Sequence, residues 1–431
     1  MNRRSHWVRS LLPAAVALGL VLAVGVGLWA KGDSSRSADL RSASASDLQP
    51  RSYPATAWTR AGLLVWGGWS TDLNAGAVRI LDDGAIVDPV TGKGDDIVAV
   101  PPGTPALYAP VAVAAGDTAV LIGRECTLER PWTSDAEPTC RENVLTGLAY
   151  ETSKRSWREF GIPKELRTSP PPVLAVVGTT REGIAVISGV RGQEPTAYWS
   201  VNLGTGAWRS VPTITGVPAG ACVSDSRLVV LTTSFSNQGR IAADDPSLHL
   251  QPGGPVATLG PEDGFVEPVV STLDLVDPAS SWRSSAPVQD VKYSVGKPRV
   301  FCTKNSALVA DTFGSRQLRL VTLSDFNIAI PPPNPVDAYY RDVVSTGTSL
   351  LFFRTEADAP SPERGADGIM FTPESGTWTN LPSPPARMQN ALWSGTYVTG
   401  YGMAWTFRSE NPPTDPLGVF LYRVPAIGIQ G

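Results

Sequence analysis

The chain has 431 residues, and its 36 Lys and Arg against 40 Asp and Glu leave a net charge of −4, which argues against nucleic acid or an anionic membrane face as the main partner. With 41 glycines, 39 prolines and little helical periodicity after Ala30, the composition points to short strands joined by many turns. Two histidines, His6 and His249, leave little room for imidazole chemistry.

Residues 1–10 form a basic stretch containing Arg3, Arg4 and Arg9, and residues 11–30 then run without a charge from Leu11 to Ala30. Twenty residues at about 1.5 Å each cover roughly 30 Å, enough to cross a bilayer core. The arginines precede the run, which places the N-terminus in the cytoplasm and the remainder outside. Two readings stay open: a retained signal anchor, giving a membrane protein with an extracellular domain, or a cleaved signal peptide, giving a secreted one. The run is longer than a usual signal core, and Ala43-Ser44-Ala45 offers only a distant cleavage site. No Cys follows it, so a lipid-anchored form is excluded. Residues 31–46, rich in Ser, Ala, Arg and Asp, are expected to be a flexible tether, and no other part of the chain is expected to meet the membrane.

Residues 47–431 repeat one pattern: an apolar strand, a further strand, a turn and a Trp. Examples are Val201-Asn202-Leu203-Gly204-Thr205-Gly206-Ala207-Trp208, Leu275-Val276-Asp277-Pro278-Ala279-Ser280-Ser281-Trp282 and Phe371-Thr372-Pro373-Glu374-Ser375-Gly376-Thr377-Trp378. Copies recur about every 50 residues, the period of one four-stranded propeller blade. Apolar strands at Ala61–Gly68, Thr118–Gly123, Gly183–Gly189, Arg227–Thr232, Ala307–Ala310, Ser349–Phe353 and Thr396–Gly400 predict seven blades, with six as the fallback. Each Trp is expected to pack against the following blade. In the fifth unit Leu323-Ser324-Asp325-Phe326-Asn327-Ile328 stands where Trp should be, and the seventh lacks its ending. Asp47-Leu48-Gln49-Pro50-Arg51 reads as that ending, so an N-terminal strand would close the ring.

The Gly67-Gly68 pair after Leu64-Val65-Trp66, with the Asp/Asn-x-x-Thr-Gly-x-Trp segments, resembles kelch repeats and the central propeller of the galactose-oxidase type. The resemblance covers about residues 47–423 and implies an all-β, kelch-like propeller, not an activity.

A copper oxidase of that type needs imidazole ligands. His6 lies on the wrong side of the membrane and His249 alone makes neither a copper nor a zinc site, so no metal and no cofactor are expected. Four cysteines in an exported chain are expected to pair. Three pairings are possible, and the positions favour Cys126–Cys140 within one loop and Cys222–Cys302 across two neighbouring blades.

After the inner strands, nearly every blade carries an arginine: Arg124, Arg191, Arg240, Arg316, Arg354 and Arg408. Equivalent loops of a propeller share one face, so these would form a rim for carboxylates or phosphates. Trp69 and Trp405 are candidate surface aromatics for a sugar ring or a protein partner. The favoured function is a non-catalytic binding or scaffold module for a protein, peptide or cell-wall glycan. The alternative is a sialidase-like glycan hydrolase or lyase, which needs carboxylates converging with arginines in an axial pocket.

Overall fold

The computed structural model describes residues 40–43, 51, 53–72, 77–88, 93–97, 99–126, 144–167, 171–191, 194–233, 268–289, 299–310, 318–333, 342–353, 368–381, 389–393, 397–402 and 418–423. It divides into a unit Met1–Arg41 and a unit Ser42–Gly431, and every blade strand lies in the second except that Leu40–Ala43 begins two residues before it.

Among the described residues there are seven four-stranded antiparallel sheets. Blade 1 comprises Ala55–Thr59, Gly62–Trp66, Gly84–Val87 and Gly94–Asp96; blade 2, Leu107–Ala115, Thr118–Glu125, Leu145–Glu151 and Ser156–Phe160. Blade 3 comprises Val173–Thr179, Ile184–Arg191, Glu194–Asn202 and Trp208–Ser210; blade 4, Val217–Ser224, Arg227–Thr233, Pro268–Asp274 and Arg283–Ser284. Blade 5 comprises Arg299–Cys302, Ser306–Ala310, Arg319–Thr322 and Ile328–Ala329; blade 6, Asp342–Ser345, Leu350–Phe353, Gly368–Thr372 and Thr377–Leu381. Blade 7 comprises Gln389–Trp393, Tyr397–Gly402 and Gly418–Arg423, and its fourth strand is Leu40–Ala43. Each blade's first strand lies against that of the next, and Gln389–Trp393 returns to Ala55–Thr59. The fold is therefore a closed seven-bladed β-propeller.

The predicted apolar strands are the second strand of every blade. Leu63, Leu64 and Val65 are buried, as are Val229, Val230 and Leu231, because neighbouring blades cover both faces. Burying each such side chain contributes about 1.5–3 kcal/mol. The strand that pairs as the fourth of blade 7 is Leu40–Ala43, inside the segment 31–46 expected to be a tether, whereas Asp47–Pro50 lie outside the described residues. A second departure is an extra hairpin, Trp69–Asp72 with Ala77–Ile80, between the second and third strands of blade 1. Gly67 (φ 68°) and Gly68 (φ 84°) turn the chain out of the blade into it, through left-handed conformations that favour glycine.

The repeated turn motif has a local cause. Asn202 Oδ1 accepts the amides of Gly204 (3.1 Å) and Thr205 (2.9 Å), and Asp274 Oδ1 accepts that of Val276 (2.9 Å), so each carboxamide or carboxylate closes the turn between third and fourth strands. The Trp that follows packs against the preceding blade, which corrects the expectation of the following one. Its indole N–H donates to the tail of that blade: Trp208 to Gly161 O (2.7 Å), Trp282 to Pro212 O (3.0 Å), Trp378 to Pro332 O (3.0 Å). The tails have left the ladder there, so their carbonyls require other donors. In blade 5, Ile328 holds the Trp place opposite Val321 and brings no donor, and Phe326 (φ 59°) takes the turn place that Gly206 (φ 73°) holds in blade 3. The carbonyl at the matching place, Ala286 O, accepts instead from Ser285 Oγ at 2.6 Å.

The first-to-second and third-to-fourth turns share one face of the ring. The second-to-third loops and blade-to-blade connections share the other, here termed the loop face. On the turn face, neighbouring blades are tied by Arg60–Asp117 (3.7 Å), Arg181–Asp225 (3.6 Å), Ser224 Oγ to Thr303 O (2.7 Å) and Lys304 N to Gly347 O (2.6 Å).

Candidate functional site: the loop face and the axial channel

Arg51 is 1% exposed and holds the feet of the extra hairpin together. Its Nη1 donates to Gly67 O (3.1 Å) and Asp83 O (3.0 Å), and its Nη2 lies 2.9 Å from Asp83 Oδ1. A buried guanidinium needs such neutralisation and hydrogen bonding. Two residues on, Tyr53 adopts a left-handed backbone (φ 50°), a conformation that costs about 1–2 kcal/mol for a residue with a Cβ. Its ring is 65% exposed and stacks on Trp69, with centroids 6.0 Å apart and planes 29° apart. Tyr53 precedes a first strand and Trp69 follows a second strand, so both stand on the loop face. The structure thus sets Trp69 in an aromatic platform held by Arg51. Neither Arg51 nor Tyr53 carries a sequence signal, since both roles depend on where the hairpin leaves the blade.

Arg124 is half-buried at the end of the second strand of blade 2, in register with Tyr108 and Leu145. Arg191 ends the second strand of blade 3, in register with Glu194. Topology therefore brings Trp69, Arg124 and Arg191 to the same face in successive blades. Arg240, Arg316, Arg354, Arg408 and Trp405 lie outside the described residues, as does His249.

The first strands of all seven blades line an axial cavity of about 840 Å³. Its wall is largely Val, Ala, Leu and Phe, with hydroxyls at Thr56, Thr179 and Ser345. Arg181 and Arg299 contribute positive charge, and no Asp or Glu is among the described lining residues. Arg299 lies over the Phe301 ring at 5.0 Å. Among the described residues no three His, Cys, Asp or Glu side chains group to hold a metal ion.

Cys222 and Cys302 form a disulfide (Cα–Cα 5.8 Å) between the first strands of blades 4 and 5, on the channel wall. This matches the expected cross-blade pairing. Cys126 is also disulfide-bonded, and Cys140 lies outside the described residues. Among the described residues no helix is long and apolar enough to cross a membrane, and Leu11–Ala30 lies outside them.

No protein-family model matches this chain, and no curated protein matches it. Among solved structures it is similar to YjhT, at 11% identity and TM-score 0.41, over 77% of this chain and 97% of that one. It is also similar to a chain in the crystal structure of the mitotic checkpoint complex, at 9% identity and TM-score 0.46, over 87% and 90%. A third likeness is to acylaminoacyl peptidase in complex with Z-Gly-Gly-Phe-chloromethyl ketone, at 10% identity and TM-score 0.37, over 67% of this chain and 42% of the peptidase. This chain therefore spans less than half of that peptidase's length.

Proposed function

We propose that this propeller is an exported, kelch-like binding module, tethered by residues 11–30 or released if they are cleaved, which captures a peptide, a protein or a cell-wall glycan on its loop face without chemistry. The observation that carries this reading is the Tyr53–Trp69 platform. A strained backbone holds an exposed aromatic ring over a second one, and both are footed on the buried Arg51. Arg124 and Arg191, with Arg240, Arg316, Arg354 and Arg408, would supply the anion-recognising rim around it, and Trp405 a second aromatic. Export is supported by the Cys222–Cys302 disulfide, a bond that persists in oxidising compartments. Binding is favoured over glycan hydrolysis by the described channel wall, whose arginines meet no carboxylate pair.

The test is binding of the full-length protein to glycan and peptide arrays, wild type against Tyr53→Gly. Glycine relieves the left-handed strain while deleting the ring, so the variant should fold at least as well and lose its array signal. An unchanged signal would refute the platform. Loss of an anionic ligand in the Arg191→Glu, Arg354→Glu double variant tests the rim separately.

A further inference from the structure

Between blades 3 and 4 lies a second cavity, of about 280 Å³, toward the loop face. Its origin can be read from strand register. Two residues after the Trp of the fourth strand, the facing third-strand residue is Leu148 in blade 2, Trp199 in blade 3 and Ile369 in blade 6; in blade 5, where Ile328 holds the Trp place opposite Val321, the third-strand residue two places earlier is the buried Arg319. Leu148, Trp199 and Ile369 pack into the core shared with the preceding blade. In blade 4 the same place holds Ser271, opposite Ser284. A large apolar side chain is replaced by a hydroxymethyl group, and the space it would fill is the cavity.

We infer that this cavity is a binding site for one neutral sugar unit. Six hydroxyls line it: Thr213, Thr215, Thr232, Thr233, Ser271 and Ser284. Ser271, Thr232 and Thr233 are buried. Ser271 Oγ and Ser284 Oγ share a hydrogen bond of 2.8 Å, whereas Thr232 and Thr233 make only long ones, to Val269 O (3.5 Å) and Val217 O (3.4 Å). Each hydroxyl keeps acceptor capacity for a ligand hydroxyl. Trp282, Ile214 and Val269 supply the apolar side, and the Trp282 indole is already fixed by its bond to Pro212 O. Among the described lining residues none is ionisable, so a charged ligand would lose its hydration without a partner there. Hydroxyls on several sides, one flat apolar wall and no charge select a pyranose ring. The volume sits at the lower end of the range for ligand pockets, which suits one ring rather than an oligomer. A second observation concerns the same interface. Tyr198, 5% exposed in the cluster that includes Ile214 and Trp282, has a hydroxyl with no hydrogen-bond partner.

This site rests on reading the protein as a binding module, but not on the aromatic platform. The experiment is saturation-transfer NMR on the full-length protein with methyl hexosides, N-acetylhexosamine and glucuronate as probes. A neutral sugar should bind and glucuronate should not. Ser271→Leu installs the residue that blade 2 carries at this place. It should keep or raise the melting temperature while weakening the sugar by about tenfold or more, the factor set by 1.4 kcal/mol. Thr232→Val, which keeps shape and loses the hydroxyl, should weaken binding as well, and it carries the test if Ser271→Leu does not fold. Tyr53→Gly lowers array capture through the platform and Ser271→Leu lowers the sugar signal through the cavity, so failure of the platform and failure of this pocket are separable. The inference is overturned if no neutral sugar binds the folded wild type, or if binding survives both substitutions in the cavity.

Discussion

The indole N–H of Trp208 donates to the carbonyl of Gly161, 47 residues earlier, at 2.7 Å. Trp282 and Trp378 repeat this bond to the tails of their own preceding blades. The Trp of the repeat is thus a latch between blades. Its apolar ring fills the shared core, and its one polar atom satisfies a carbonyl outside any ladder.

Replacing Trp208 by Phe should keep most of the packing and lose the donor, lowering stability by about 1–2 kcal/mol in urea unfolding. In blade 5 the converse holds. Ile328→Trp alone should gain little, because Ser285 Oγ already occupies Ala286 O. Ile328→Trp combined with Ser285→Ala should show a favourable coupling of roughly 0.5 kcal/mol or more in a double-mutant cycle. Strict additivity would show that the latch does not extend to this blade.

The Cys222–Cys302 bridge closes a separation of 80 residues. In the chain-entropy account a loop of that size contributes roughly 4–5 kcal/mol. The Cys222→Ser, Cys302→Ser double variant should melt well below the wild type, and the wild type should approach it when reduced. Equal melting of all three would mean that the bond carries no stability.

Tyr198 is buried, its hydroxyl has no partner, and burial pushes its ionisation far above the ordinary phenol value of 10.0. Tyr198→Phe should therefore be neutral or stabilising, by as much as about 1–3 kcal/mol, the cost of an unsatisfied buried group. The sign with pH follows from the raised value. Once the pH exceeds about 10 the unfolded chain sheds this proton while the folded one keeps it, so stability falls. Unfolding midpoints followed from neutral pH into that range should decline more steeply for the wild type than for Tyr198→Phe.

Arg51→Lys keeps the charge but cannot donate to Gly67 O and Asp83 O while lying against the Asp83 carboxylate as the planar guanidinium does. The change should cost about 1.5–3 kcal/mol, the range for hydrogen bonds to charged groups. It should also reduce array binding together with Tyr53→Gly, because the platform stands on the same feet. If Arg51→Lys lost stability yet retained full binding, the anchor and the platform would be independent.

The second strands were legible in the sequence because both of their faces are buried, so runs such as Leu228-Val229-Val230-Leu231 show no alternation to misread. The Cys222–Cys302 pair was legible because the two cysteines fall in neighbouring repeats. Leu40–Ala43 was not, since an edge strand reading Leu-Arg-Ser-Ala carries no apolar signal and looks like tether. The direction of the Trp contacts was hidden because the motif fixes the turn, whereas the partner is a carbonyl in another repeat. Trp69 stood out as an aromatic beyond a strand, but Arg51 and Tyr53 gain their roles only when the hairpin is placed above them. The cavity at Ser271 was least visible. It arises from an absent side chain at one register position, and register emerges only once the strands are paired.

The strand that completes blade 7 comes from residues 40–43, and the strands it completes end at Arg423. The first piece of the domain to be synthesised therefore waits for nearly the last. Until Gly418–Arg423 is available, blade 7 is only the hairpin of Gln389–Trp393 with Tyr397–Gly402, one edge of that hairpin stays unpaired, and Leu40–Ala43 has no strand to join. Assembly of the ring is tied to translation reaching Arg423, so a chain stopped before Gly418 should be open to aggregation and proteolysis although six blades are intact.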